Sequence, residues 1–332
     1  MADGNAARYI QIGLGPIGCG IVRAARERGG LRLVGAVDVS PDKVGRDVAE
    51  VAELPEPTGV IVCGSAWDCP EADMALHSTG SRLPQIAGQL REVIELGLDC
   101  ISTAEELTWP WLNHPALAEE LDAVAQERGV RLLGTGINPG FVMDLLPLLL
   151  TAPCRRVDRI VARRVVDTVT RRPQLQQKTG VGLTESEYRE RAGRGAIGHV
   201  GLCESAALLA AGLGWTPEAV TEVIEPAIAE DAIASPHHSV GAGQVCGSRQ
   251  TATVLVAGRE RLRLELEMYM GAPDPRDEIE ITGAPSFTVR IAGGIPGDEA
   301  TPACVLNAIP PLLASMPGLL TLKDVPVSRR WH

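Results

Sequence analysis

The chain has 332 residues, 45% hydrophobic and 22% charged, and 31 Lys and Arg against 42 Asp and Glu leave a formal charge of −11. That length supports two domains with substantial cores, and the composition excludes a disordered chain. The acidic balance, with no basic block to offset it locally, argues against a nucleic-acid partner, and the densest apolar stretch, 145–150, is far too short to span a bilayer.

The first predicted element is an apolar strand at 9–12. It runs into Gly13-Leu14-Gly15-Pro16-Ile17-Gly18 and then a helix through Arg28. In such a turn the first glycine permits the tight bend, the second lets backbone approach a pyrophosphate, and the third packs helix on strand, with phosphate charge at the helix N-terminus. A second strand at 31–37 ends in Asp38, where an acid would bond a ribose hydroxyl. Together these features read as a dinucleotide site rather than a bare strand-to-helix turn.

A helix is expected over 41–53, then strands at 60–63 and 72–79, the latter ending in His77-Ser78-Thr79-Gly80-Ser81. Next come a helix at 83–96, a strand at 98–103, and a helix at 115–128 stopped by Gly129, with Asn113 as a candidate cap and Pro115 in the first turn; a strand at 130–134 follows. This alternation predicts a doubly wound α/β (Rossmann) domain over 1–140, with ligand at the carboxyl ends of its strands.

Beyond Asn138-Pro139-Gly140 the pattern changes: a strand at 159–167, a helix at 200–211, and strands at 240–256, 261–270, 278–282 and 287–292. They predict a second, mixed α/β domain over 141–297 for substrate and oligomerisation. The segment 298–332, with a helix at 298–315, is expected to return to the first domain.

Chemistry is concentrated in Cys100-Ile101-Ser102-Thr103-Ala104-Glu105-Glu106-Leu107, which puts two acids just past a strand end that should face the cofactor. Glu105 and Glu106 could serve as a proton-transfer base, or simply open a helix where acids favour the positive end of its dipole. Thr79, Gly80, Ser81, Thr103, Ser40 and Asn307 are further cofactor candidates by expected proximity. Asn138, Pro139 and Phe141 stand at the domain handover and could border a substrate, as could His199, although a core phenylalanine and a locally bonded histidine explain them equally well. Arg171 and Arg172 suit a substrate carboxylate or a solvated loop. His237 and His238 lack partners for a metal set, and eight cysteines without CxxC or zinc-like spacing read mostly as reduced core residues.

The chain resembles the 2,4-diaminopentanoate dehydrogenases and native amine dehydrogenases, a family related in fold to dihydrodipicolinate reductase. The resemblance lies in the glycine turn, in 101–107, in Gly134-Thr135-Gly136-Ile137-Asn138-Pro139-Gly140-Phe141, in Gly198-His199-Val200-Gly201-Leu202-Cys203-Glu204-Ser205, and in Gly318-Leu319-Leu320-Thr321-Leu322-Lys323-Asp324-Val325-Pro326. It implies NAD or NADP as cofactor, reversible exchange of an amine for a carbonyl with ammonia, and a catalytic glutamate within the Glu105-Glu106 pair. Glu105 is favoured because it is nearer the strand end.

A cyclic imine reductase of the dihydrodipicolinate type is the alternative, weakened by the absence of a lysine and paired-histidine cluster. A nucleotide sensor without chemistry is another. Acyl transfer would need an activated cysteine, and no cysteine has a clear histidine partner. Asp38 leans the cofactor toward NAD, while Ser40, Lys43 and Arg46 could accept a 2′-phosphate. A cytoplasmic homodimer with no membrane contact is expected.

Overall fold

The computed structural model describes residues 6–331. Among these the chain separates into two units, 6–141 with 296–331, and Val142–Ile295. The first contains β1 (Ala7–Ile12), α1 (Pro16–Arg28), β2 (Leu31–Val37), α2 (Val48–Val51), β3 (Val62–Cys63), β4 (Met74–His77), α3 (Leu83–Glu95), β5 (Asp99–Ser102), α4 (Pro115–Arg128) and β6 (Arg131–Gly134). The second contains α5 (Leu145–Leu150), β7 (Arg156–Asp167), α6 (Pro173–Lys178), α7 (Glu185–Gly193), α8 (Leu202–Gly212), β8 (Ala219–Ile228), β9 (Ile233–Ala234), β10 (Ser239–Val240), β11 (Val245–Val256), β12 (Arg259–Tyr269), β13 (Arg276–Ala284) and β14 (Phe287–Ala292). The chain then re-enters the first unit with α9 (Gly297–Asn307), α10 (Ile309–Leu313) and β15 (Gly318–Leu320).

The described strands of the first unit form one parallel sheet in the order β15-β6-β5-β4-β1-β2-β3. The order reverses between β1 and β4, so the crevice at their carboxyl ends is where a ligand is expected in a doubly wound sheet. Tyr9 and Ile10 in β1 and Met74 to Leu76 in β4 are buried on both faces, as parallel strands flanked by helices must be. On α3, Leu83, Ile86, Ala87, Leu90, Val93 and Ile94 recur at helical spacing and bury one stripe against this sheet, each large side chain contributing roughly 1.5–3 kcal/mol. In the tail, β15 pairs in parallel with β6, and the Leu319 N–H is held by Asp122 of α4 at 2.8 Å.

In the second unit a six-stranded mixed sheet runs β14-β13-β7-β12-β11-β8, with β7 and β12 parallel and the other neighbours antiparallel. Strict alternation in β12 sends Leu262, Leu264, Leu266 and Met268 to a buried face and Arg261, Arg263, Glu265 and Glu267 to the opposite, half-exposed one. The apolar helix α8 packs on β8, β11 and β12.

Several expectations are corrected. The helix over 41–53 shrinks to Val48–Val51. Residues 41–46 are turns closed by Lys43 and Val44 N–H bonds to the Ser40 carbonyl, and Gly45, at φ 87°, donates to Val62 at the sheet edge. Asp47 caps what is left by accepting from Ala49 at 2.7 Å. Asn113 is not the cap of α4; His114 holds that position without a side-chain bond to the helix. The strand over 240–256 is broken by a turn at 241–244, and the helix over 298–315 breaks at Ala308, ahead of Pro310 and Pro311. The edge strand β8 was not foreseen because Pro226 and scattered acids obscure its alternation, and an edge strand tolerates both.

Candidate active site

The glycine turn lies against the end of β4. A Cβ on Gly13, which sits at φ 87°, would come within 2.6 Å of the Ser78 carbonyl oxygen, and one on Gly18 within 1.9 Å of the Gly13 oxygen. A Cβ on Gly15 would meet nothing within 4 Å. Two of the three glycines are therefore required by packing, whereas the middle one opens onto free space. Gly15 caps α1 with no side-chain hydrogen bond, and Pro16 and Ile17 open the helix, so its first N–H groups and positive end face outward.

Asp38 is tied to this turn: its carboxylate accepts from the Leu14 N–H at 2.9 Å, from the Ser40 N–H at 2.9 Å and from Lys43 Nζ at 2.9 Å. Burial opposes the charged form of Asp38, but the Lys43 ammonium and the two N–H groups outweigh it and hold the carboxyl below its ordinary range. Arg46 is turned to Glu50, at 3.0 Å, and to the Asp42 carbonyl.

The Glu105-Glu106 pair opens a 3-10 turn, 105–108, just after β5. Glu106 is 5% exposed and its carboxylate is committed: Oε2 accepts from the Leu83 N–H at 2.7 Å, capping α3, and lies 3.0 Å from His114 Nε2, while Oε1 is 3.3 Å from Arg82. Its own N–H donates to the Ser81 carbonyl. Glu105, half-buried, has no hydrogen-bond or ion-pair partner among the described residues. Spacing alone could not separate the two acids; tertiary contacts do.

Beneath them lies a polar group that sequence reasoning passed over as the end of a strand. His77 is fully buried, with Nδ1 2.8 Å from Ser102 Oγ and Nε2 2.8 Å from Gln89 Oε1 and 2.9 Å from Thr79 Oγ1. Thr79 donates to Gln89 at 2.6 Å, and the Ala104 N–H donates to Ser102 Oγ at 3.1 Å. Burial drives the imidazole pKa down to about 4, against the opposing bond from Gln89, so the ring is neutral at working pH. The signal for it was a histidine and a serine at equivalent ends of paired strands, His77 opposite Ser102.

The other predicted residues fall as follows. The Thr103 N–H bonds the His77 carbonyl, joining the ends of β4 and β5. Gly80 packs near Ile86, and Asn138 and Pro139 are joined by a cis peptide in the loop after β6 that leads to Phe141. Asn307 closes α9, which packs on α1 where Pro302 meets Gly20, and its buried Oδ1 has no hydrogen-bond partner.

In the second unit the backbone of His199 is clamped by the Gln250 amide, which accepts from its N–H at 2.9 Å and donates to its carbonyl at 2.7 Å. Arg171 lines a small cavity of about 180 Å³ with Arg164 and Asp167, and Arg172 caps α6. His238 bonds Gln176 rather than joining a metal cluster, and no such cluster occurs among the described residues. No helix among them is long and apolar enough to cross a membrane.

The arrangement fits a dinucleotide: an open glycine position at a helix N-terminus, a charged acid at the end of β2, and a buried acceptor on Asn307 awaiting a donor. Beside it, the Glu105 carboxylate stands on the turn that follows β5.

Comparison with known proteins agrees. A family model, the 2,4-diaminopentanoate dehydrogenase C-terminal domain, matches residues 141–332. The 2,4-diaminopentanoate dehydrogenase of Acetoanaerobium sticklandii is 31% identical over 97% of this chain and 94% of its own length. Among solved structures, the amine dehydrogenase from Mycobacterium smegmatis superposes with a TM-score of 0.88 at 26% identity, covering 98% of each chain. The WlbA dehydrogenase from Bordetella pertussis, solved with NADH and UDP-GlcNAcA, shares the fold at a TM-score of 0.54 and 17% identity, over 88% of this chain and 75% of its own.

Proposed function

The chain belongs to the 2,4-diaminopentanoate dehydrogenase family, and from that membership together with the site geometry we propose that it catalyses reversible NAD(P)-dependent oxidative deamination of a small amine, Glu105 acting as the base. The observation that carries the assignment is the contrast within the acid pair: Glu106 is spent on capping α3, and Glu105 is free.

When bound, the dinucleotide supplies the two-electron acceptor, taking hydride from the amine-bearing carbon. Gly13, Gly15, Pro16, Ile17 and Gly18 would hold its pyrophosphate and Asp38 and Ser40 its adenosine ribose, with Thr79, Gly80, Ser81, Thr103 and Asn307 along the remainder. Loss of hydride leaves the substrate as an iminium. Glu105 then takes a proton from water as the water oxygen adds to the iminium carbon; returning that proton to nitrogen makes ammonia the leaving group, and the carboxylate takes the hydroxyl proton as the C–N bond breaks and the carbonyl forms. In the opposite direction the same carboxylate assists addition of ammonia to a ketone or aldehyde.

Asn138, Pro139, Phe141 and His199 are the proposed substrate contacts. Charged Asp38 repels a 2′-phosphate and favours NAD, although release of Lys43 from Asp38 would offset that preference. The same reading makes the enzyme a cytoplasmic homodimer, with the half-exposed face of the six-stranded sheet meeting its copy. There Arg163 bonds Glu265 and Glu278, and Arg159 and Arg263 bond Glu260, a mixed-sign surface that can complement itself.

The test is reduction of NAD and of NADP, each followed at 340 nm, with 2,4-diaminopentanoate and a panel of simple primary amines. Amine-dependent reduction that is lost in Glu105→Gln supports the reading. Retention of turnover in Glu105→Gln overturns it.

A further inference from the structure

The far side of the turn that carries Glu105 is anchored by buried Leu107 and by the Glu106 carboxylate on the Leu83 N–H, whereas its entry is held through the backbone. Its first backbone donor, the Ala104 N–H, bonds only the Ser102 hydroxyl, at 3.1 Å. Ser102 Oγ is in turn 2.8 Å from His77 Nδ1, and His77 Nε2 is 2.8 Å from Gln89 Oε1.

Donor counting fixes the direction of this chain. Gln89 Oε1 only accepts, and it already takes the Thr79 hydroxyl proton. His77 must therefore carry its proton on Nε2 and donate to Gln89. In a neutral ring Nδ1 is then an acceptor, so the Ser102 O–H donates to Nδ1. That leaves a serine lone pair aimed at the Ala104 N–H. Each bond depends on the previous one, and His77, Ser102 and Ala104 are all buried, so water cannot replace a missing member without cost.

We infer that His77 is a positioning residue for the reaction: through Ser102 it orients the Ala104 N–H and so holds the turn that presents Glu105. The inference rests on Glu105 being the acting base and deepens that reading. It also explains why a histidine stands where any apolar residue would fill the core: an apolar side chain would leave the Ser102 hydroxyl free to rotate away from the Ala104 N–H.

Two near-isosteres separate this role from simple core filling. Asparagine places its oxygen where Nδ1 was and keeps the acceptor for Ser102. Glutamine is closer to histidine in size and keeps a donor for Gln89, but lacks the Nδ1 acceptor. Relay through Ser102 predicts that His77→Asn outperforms His77→Gln; core filling predicts the reverse.

The experiment is amide hydrogen exchange, read by mass spectrometry on the peptide covering 103–108, together with kcat, cofactor Kd and melting temperature. His77→Gln and Ser102→Ala should raise exchange at Ala104 at least tenfold and lower kcat by roughly tenfold to a hundredfold, the scale expected when a base shifts by an ångström or less. Exchange in α4 should be unchanged, cofactor Kd should move no more than a few-fold because Thr79 keeps its bond to Gln89, and His77→Asn should stay within a few-fold of the parent. The proposal is overturned if His77→Asn is the worse of the two, if exchange rises evenly across the first unit, or if Ser102→Ala leaves both Ala104 exchange and kcat untouched. Because exchange needs no turnover, failure of the relay is distinguishable from failure of Glu105 as base, which Glu105→Gln tests by itself.

Discussion

At the scale of single residues, the two adjacent glutamates show how neighbours in sequence acquire different roles through their surroundings. Glu106 sits in a pocket of donors, Leu83 N–H, Arg82 and His114, so its loss should register as instability. Glu106→Ala is expected to cost about 1–3 kcal/mol, from a lost helix cap and an unpaired buried donor, lowering the melting temperature by roughly 3–10 °C in calorimetry. Glu105→Gln should leave the melting temperature within a degree or so and reduce kcat by about 10²–10⁴-fold, the usual worth of a general base. Equal loss of stability in both variants would contradict this division. The charge on Asp38 and the neutrality of His77 follow the same logic: hydrogen-bond donors outweigh burial for the one, and burial wins for the other.

At the scale of elements, the strand-turn-helix unit of β1 and α1 makes separable demands on its glycines. Gly18→Ala drives a methyl into the Gly13 carbonyl and should displace α1, weakening both folding and cofactor binding. Gly15→Ala meets no protein atom within 4 Å, so its melting temperature should match the parent while the Kd for NAD, measured by calorimetric titration, rises at least tenfold. Normal affinity in Gly15→Ala would remove the pyrophosphate from that position. This unit was legible in sequence because its constraints are local: a glycine rhythm, an apolar strand and an acid one strand later. The 41–53 segment was not, since its turns are dictated by backbone bonds to Val62 and Val60 at the neighbouring edge, which set Asp47 opposite Ile61. The same holds for β8, whose partner β11 lies about twenty residues on.

At the scale of the whole molecule, stability carries the imprint of His77. Its folded pKa, about 4, lies below the unfolded value of 6.5, so the unfolded chain binds the extra proton first. Stability from this group is complete above about pH 6.5 and falls as pH drops toward 4, by roughly 3 kcal/mol in all. Melting curves from pH 7 to 4 should show this slope, and it should flatten in His77→Asn; an unchanged slope would trace the acid sensitivity to other groups. The proposed homodimer is tested at the same scale: analytical ultracentrifugation at micromolar concentration should give twice the chain mass, shifting toward the monomer when Arg163 and Arg263 are both replaced by glutamate. A monomer in the parent protein would exclude that association.

The amino-acid sequence by itself determined the alternation of strands and helices, the dinucleotide turn, the acid at the end of β2 and the placing of two carboxylates just past the end of β5. These depend on spacing along the chain, where the periods of helix and strand and the needs of a tight turn leave a direct mark. Only the tertiary structure decided which of the two carboxylates is free, and that His77, Ser102 and Gln89 belong to one hydrogen-bonded chain. Their relation comes from β4 and β5 lying side by side with His77 opposite Ser102, 25 positions apart, and no local propensity records a contact made across a sheet.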